Sequence, residues 1–175
     1  MGLNGEALDI FKSLGFVHQI STEKVKYDGN RVGWPGYACA MTKGTYEKMN
    51  GLWDEDILGG CDAVLTYSII QNFNMYLPFY ERVGVAEELI KQMKNYQLKA
   101  LANKIKISYI NGTILHSWHG SLDDRGYFIR YNIFEKHGFN PKTDIVRDKN
   151  GIIGLTKEGE RMHADLKNFF CPKCS

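Results

Sequence analysis

Glycine sets the limits on what this chain can fold into. There are 18 glycines in 175 residues, and they punctuate the chain, closing one apolar stretch after another. Gly5 to Leu14, with apolar Ala7, Leu8, Phe11 and Leu14, reads as a short helix stopped at Gly15, and a strand over Phe16 to Ile20 follows. Lys24 to Pro35 is polar and Gly-rich, a loop, and Tyr37 to Met41 is a small-residue apolar run suited to a buried strand. Thr42 or Thr45 can cap a helix that runs to Met49 and stops at Asn50-Gly51.

Farther along, Ala63 to Asn72 is apolar on most sides and reads as a buried helix. Val85 to Asn103 has helical spacing at Leu89, Met93, Tyr96 and Leu101. Ile105 to Ile110 and Thr113 to Leu115 flank Asn111-Gly112, a hairpin signal. A helix over Asp123 to Lys136 closes at Gly138, and a short strand near Ile152 to Leu155 precedes a helix from Lys157 to Phe169. Helices and strands alternate, so the expected class is α/β or α+β, a small mixed sheet flanked by helices. No repeat or linker divides the chain, which is read as one domain over residues 1–175.

A domain of this length can bury roughly 70% of its unfolded surface, and 43% apolar with 24% charged residues fits a globular chain. The 22 basic and 20 acidic residues are spread without like-charge blocks, which argues against a nucleic-acid partner. No apolar run approaches the ~20 residues that cross a bilayer, and the start shows no charged leader ahead of an apolar stretch, so the segment is expected to be soluble. Four cysteines, only Cys171 and Cys174 close together, suit reduced intracellular thiols better than a disulfide scaffold. Asn111-Gly112-Thr113 matches a glycosylation triplet that matters only in a secreted chain.

Chemistry concentrates in two runs. The first is Trp34-Pro35-Gly36-Tyr37-Ala38-Cys39-Ala40-Met41, then Tyr46, then Asn50-Gly51-Leu52-Trp53-Asp54-Glu55-Asp56-Ile57-Leu58-Gly59-Gly60-Cys61-Asp62. Carboxylates and indoles gather near one rim, and the Gly59-Gly60 pair lets backbone approach a ligand just before Asp62. Sugar sites have this character, because an aromatic face covers the apolar side of a pyranose and carboxylates accept its hydroxyl hydrogens. The competing reading is a capped helix and tight turn with solvent-facing acids.

This run resembles the pattern shared by galactosyltransferases and polypeptide N-acetylgalactosaminyltransferases of the GT-A type. There a small-residue strand leads to a helix, a Gly-Gly-hydrophobic-Asp-Glu turn, and a Gly-rich loop ending in an acidic residue. Asn50 stands at the first glycine of that turn, and Cys61 at the first of the two acidic positions the family often carries. The resemblance implies that Asp62 lies at the acceptor hydroxyl, as general base or orienting group. It also implies that Trp34, Gly36, Trp53, Asp54, Glu55 and Gly60 shape the substrate pocket.

The second run is Leu115-His116-Ser117-Trp118-His119-Gly120-Ser121-Leu122-Asp123-Asp124-Arg125-Gly126-Tyr127-Phe128-Ile129-Arg130. His116 and His119, three apart, could present nitrogen to one ion; they could equally be core or surface histidines. From Gly112 to Asp148, with His-Ser-Trp-His-Gly, Arg-x-Tyr-x-x-Arg and Asn-Pro-x-x-Asp-Ile, the chain resembles the C-terminal segment of a group of viral and bacterial glycosyltransferases. That likeness implies a divalent metal, Mn2+ or Mg2+, held by His116 first and His119 second, which neutralises a departing diphosphate. Arg125 and Arg130, near the start of the predicted helix, suit a phosphate; their alternative is a solvated face paired with Asp123 and Asp124.

Cys171-Pro-Lys-Cys174 could form half of a zinc site but has no second pair, and a chance spacing in a tail is the simpler reading. Asp54-Glu55-Asp56 has the form Asp-x-Asp, yet it lies inside the acceptor-side pattern and is not read as the metal motif. The expectation is therefore the acceptor and metal side of a GT-A-like fold that uses a nucleotide-sugar donor and a glycan or protein acceptor. A further chain or domain is expected to supply the nucleotide-binding half. The rivals are a non-catalytic carbohydrate-binding module and a metal-dependent hydrolase.

Overall fold

The structure, a computed structural model, describes residues 38–82, 84–108, 110, 112, 114, 115, 126 and 129–171. The expected helix over Gly5 to Leu14 and strand over Phe16 to Ile20 lie outside them. Helix α1, Lys43–Met49, begins at Thr42, whose side chain accepts from the Thr45 N–H at 3.1 Å, and ends at Asn50 in the left-handed region (φ 60°). The N–H groups of Asn50 and Gly51 then bond back to Glu47 and Tyr46. Residues 38–41, expected as a strand, carry no ladder partner among the described residues, and a run of small apolar residues is not a strand without one.

Helix α2, Cys61–Ile69, buries Val64 to Ser68, and α4, Glu87–Ala102, buries Leu89, Met93, Tyr96 and Ala100 at spacings of four, three and four. These two helices make the main interface of the fold. Between them run a 3-10 turn, Phe73–Met75, and helix α3, Leu77–Arg82. Helix α5 spans Asn132–His137 and closes at Gly138 (φ 58°). The first part of the helix expected over Asp123 to Lys136 is instead a turn at Gly126 (φ 59°) and at residues 129–131, where the Ile129 and Arg130 N–H groups bond to the Gly126 carbonyl; Asp123 lies outside the described residues.

The expected hairpin around Asn111-Gly112 shows no strand at residues 105–108, 110, 112, 114 or 115. Ile105 packs against the core, but Ile110 and Leu115 are 96% and 73% exposed and the segment has no ladder partner among the described residues. A real hairpin lies farther on. Strand β1, Ile145–Arg147, pairs antiparallel with β2, Ile153–Leu155, in the register 145↔155, and Asp148 ties the turn by accepting from Asn150 and Ile152. The described residues are thus mixed, helices with one two-stranded antiparallel sheet. No helix among them is long and apolar enough to cross a membrane.

The C-terminal part is knit by one buried carboxylate. Helix α6, Pro141–Asp144, starts at Asn140, whose side chain accepts from the Lys142 N–H, and ends on Asp144, 1% exposed. Arg161, in the 3-10 turn Gly159–Met162, grips Asp144 with both terminal nitrogens at 2.6 and 2.8 Å and also bonds to the carbonyls of His137 and Gly138 at the end of α5. A side chain on Gly159 would collide with the Asp144 carbonyl, so this approach requires glycine. Helix α7, His163–Phe170, follows, and its Asp165 binds Lys136 and His137 of α5.

Burial alone would raise the Asp144 carboxyl; the Arg161 guanidinium and the Asn140 N–H outweigh it and hold the group below its ordinary value. The folded value lies beneath the unfolded one, so the stabilisation is complete above the ordinary carboxylate range and is lost as pH falls through the depressed value. Asp144→Asn should lower unfolding free energy by about 3 kcal/mol at neutral pH. Urea denaturation should also show the variant losing less additional stability than the parent below about pH 4.

Candidate functional site

The glycine loop between α1 and α2 is built around Asp56, only 5% exposed. Its Oδ1 accepts from the Leu58 N–H at 2.9 Å, its backbone carbonyl accepts from the Gly59 N–H at 3.2 Å, and its Oδ2 accepts from the Tyr80 hydroxyl at 2.6 Å. With the Tyr80 hydrogen committed to Asp56, the Tyr76 hydroxyl, 3.4 Å away, is the donor to Tyr80. Tyr131 lies 3.4 Å from the Tyr80 hydroxyl and donates to the Gly59 carbonyl at 3.1 Å. The three rings meet edge to face, Tyr76 against Tyr80 and Tyr80 against Tyr131, with centroids 5.1 and 5.6 Å apart.

Burial pushes Asp56 up to about 6, against the opposing pull of the Tyr80 and Leu58 bonds. Burial also raises all three phenols: Tyr76 to about 12, Tyr80 and Tyr131 well above their ordinary value. They remain neutral hydrogen donors at any ordinary pH.

This cage dictates glycine at 59 and 60. Both sit in the left-handed region, at φ 105° and 94°. A Cβ at Gly60 would lie 2.9 Å from the hydroxyls of Tyr131 and Tyr76 and 3.1 Å from that of Tyr80. A Cβ at Gly59 would lie 3.1 Å from Arg130 Nη1. The Gly60 carbonyl then accepts from the Val64 N–H as α2 begins, and Asp62 stands half-buried in its first turn, where the helix dipole favours a carboxylate.

The sequence-predicted residues divide as follows. Asp54 accepts both terminal nitrogens of Arg147, at 2.9 and 2.5 Å, and Glu55 lies 3.6 Å from the same guanidinium. Trp53 is buried in the core beneath the loop, near Tyr96, whose hydroxyl donates to the Gly51 carbonyl at 3.0 Å. Arg130 reaches the glycine pair, 4.9 Å over the Tyr131 ring, and its Nη2 donates to the Tyr131 hydroxyl. The fold therefore brings Gly59, Gly60 and Arg130 together and places Asp62 two residues on, in the first turn of α2. Trp34, Gly36, His116, His119 and Arg125 lie outside the described residues, as does Cys174; Cys171 is exposed.

Cys61, the exposed neighbour of Asp62, is raised by burial and then by the Asp62 charge, and Cys39 is raised by the same two causes in the same order. Among the described residues no group of three or more His, Cys, Asp and Glu side chains is placed to hold a metal ion, so those residues alone do not form the expected metal centre. An open groove of about 360 Å³ is lined by Tyr46, Glu47, Asn50 and Gly51, at the start of the same loop.

Tyr76, Tyr80 and Tyr131 are absent from the residues singled out by sequence. The available signal is the four-residue spacing of Tyr76 and Tyr80, and it says nothing about a partner 51 residues away. Comparison of the chain with protein-family models, with curated proteins and with solved structures finds no match.

Gly60→Ala should cost about 2 kcal/mol or more, from left-handed strain together with the clash on three hydroxyls. Gly44→Ala, inside α1 with nothing within 4 Å of the added carbon, should instead stabilise by roughly 0.5–1 kcal/mol. Urea midpoints of the two variants should move in opposite directions.

Proposed function

We propose that the chain is the acceptor-side and metal-side part of a GT-A-like glycosyltransferase that moves a sugar from a nucleotide-sugar donor to a glycan or protein hydroxyl. The observation that carries this reading is the disposition of the loop's four acids. Asp54 and Glu55 are engaged by Arg147 and Asp56 is buried under Tyr80, whereas Asp62 stands in the first turn of α2 just past the glycine pair. A single carboxylate at the end of a glycine loop is what an acceptor hydroxyl needs, either to give up its proton or to be aimed at the donor carbon.

Arg130 at Gly59 adds a fixed positive charge that suits an anionic donor. Two runs that carry the family likeness, 70 residues apart in sequence, thereby serve one place. Asp54 and Glu55, pinned by Arg147, give the acceptor pocket an acidic rim, and Trp53 supports it from the core. His116 and His119 would hold Mn2+ or Mg2+, whose charge would stabilise the leaving diphosphate. Arg125, Trp34 and Gly36 belong to the same proposal, as does a partner chain or domain that supplies the nucleotide-binding half.

Calorimetric titration with UDP-sugars, with and without manganese, tests the reading. Metal-dependent binding that is lost in His116→Ala supports it. Where transfer is measured, Asp62→Asn should lower the rate by about 100-fold with donor affinity unchanged. Glycan binding without metal or donor would instead assign the chain to a carbohydrate-binding module, and turnover without nucleotide to a hydrolase.

A further inference from the structure

We propose that Asp56 is the positioning residue of the glycine loop: through Leu58, Tyr80 and Tyr131 it sets the path of Gly59-Gly60 and hence where Asp62 enters α2, and its effect at an acceptor rests on the transferase reading. The geometry is specific. One carboxylate receives the loop's own Leu58 N–H and a hydroxyl from the segment at 76–80. That hydroxyl lies 3.4 Å from Tyr131, which holds the Gly59 carbonyl. Gly60 lies so close beneath three phenol oxygens that a Cβ would meet all three, and the next two residues open α2.

The path is therefore fixed from both sides, by a bond to the loop's N–H groups and a bond to its carbonyl. Neither bond involves Asp62 itself. Asp56 acts on Asp62 only through the backbone between them.

The charged and titratable groups facing this carboxyl are few. They are Tyr76 and Tyr80 from the segment at 76–80, Tyr131 and Arg130 from the turn before α5, and Cys61 from α2; the Asp62 charge acts on the same Tyr76 and Cys61. When Asp56 is ionised it takes the Tyr80 hydrogen. Once it gains a proton it can donate that hydrogen to the Tyr80 oxygen instead of accepting from it, and the Tyr80 hydrogen can then turn towards Tyr76 or Tyr131. The loop then loses one of its fixed points, although the rings stay packed.

The test is nitrogen-15 NMR of the full chain across the range around pH 6. The amides of Gly59, Gly60 and Asp62 should shift together with a midpoint near the value of about 6 expected for Asp56. Asp56→Asn should abolish that common shift. Tyr80→Phe, which keeps the ring and removes the bond favouring the ionised form, should move the midpoint upwards, and it decides the matter should Asp56→Asn not fold.

A common shift that survives Asp56→Asn overturns the proposal. So does a titration confined to Leu58 with Gly60 and Asp62 unmoved, or a midpoint unchanged by Tyr80→Phe. In transfer assays Asp56→Asn should raise the acceptor KM and leave the donor KM unaltered, which a general loss of folding would not do. Absence of any transfer by the parent chain joined by the nucleotide-binding half counts against the transferase reading alone, because the amide measurements need neither donor nor acceptor.

Discussion

A carboxylate taken almost wholly out of water costs several kcal/mol unless hydrogen bonds replace its hydration. Asp56 collects those bonds from elements that nothing else in the sequence ties together. The bonds do not fully compensate: a carboxyl pushed up to about 6 is disfavoured in its ionised form by ~3 kcal/mol. A buried aspartate with so unfavourable a balance is poor material for stability, and a hydrophobic residue of similar volume could serve better. What the aspartate supplies is direction. Its two oxygens can accept from the backbone and a phenol simultaneously, which no apolar side chain can do, and the consequence is a defined path for a glycine pair that would otherwise roam.

Asp144 solves the opposite problem with the same residue type. There a guanidinium reaches the carboxylate and the ionised form wins, so the pH dependences of the two sites have opposite signs. Asp144 adds stability that is lost in acid. Asp56 binds its proton more tightly in the folded chain than in the unfolded one, so the stability it contributes is present below the unfolded value and lost as pH rises from about 4 through about 6. Stability and site geometry are therefore carried by different carboxylates.

Much of the helical framework was legible in sequence, and the reason is local. The Thr42 cap, the Asn50 stop, the Leu89-Met93-Tyr96 stripe and the Gly138 closure each depend on a few adjacent residues. What could not be read depends on distant partners. Ile105 to Leu115 has strand-like composition but no ladder among the described residues; the strand expected near Ile152 to Leu155 is present as β2, whereas its three-residue partner β1 is too short to show periodicity and exists because it pairs with β2. The Asn-Pro-x-x-Asp-Ile element carried a family likeness, yet its described role is architectural: Asn140 caps, Pro141 starts a helical turn and Asp144 receives Arg161. For the site, the glycine pair and Asp62 were visible as a pattern, while the tyrosine cage was not, because no spacing rule connects positions 56, 80 and 131.

Arg147 bears on how the acidic run should be understood. Its pair with Asp54 is well formed, but both side chains are substantially exposed, at 37% and 54%, and such pairs contribute at most about 1 kcal/mol. Its importance is geometric: an arginine on β1 holds two neighbouring carboxylates against the hairpin. The neighbouring Cys61 thiol, held protonated by burial and by the Asp62 charge, adds no second negative charge. Of the four acids in the run, Asp54 and Glu55 thus lie against Arg147 and Asp56 against Tyr80, while Asp62 alone enters the first turn of α2.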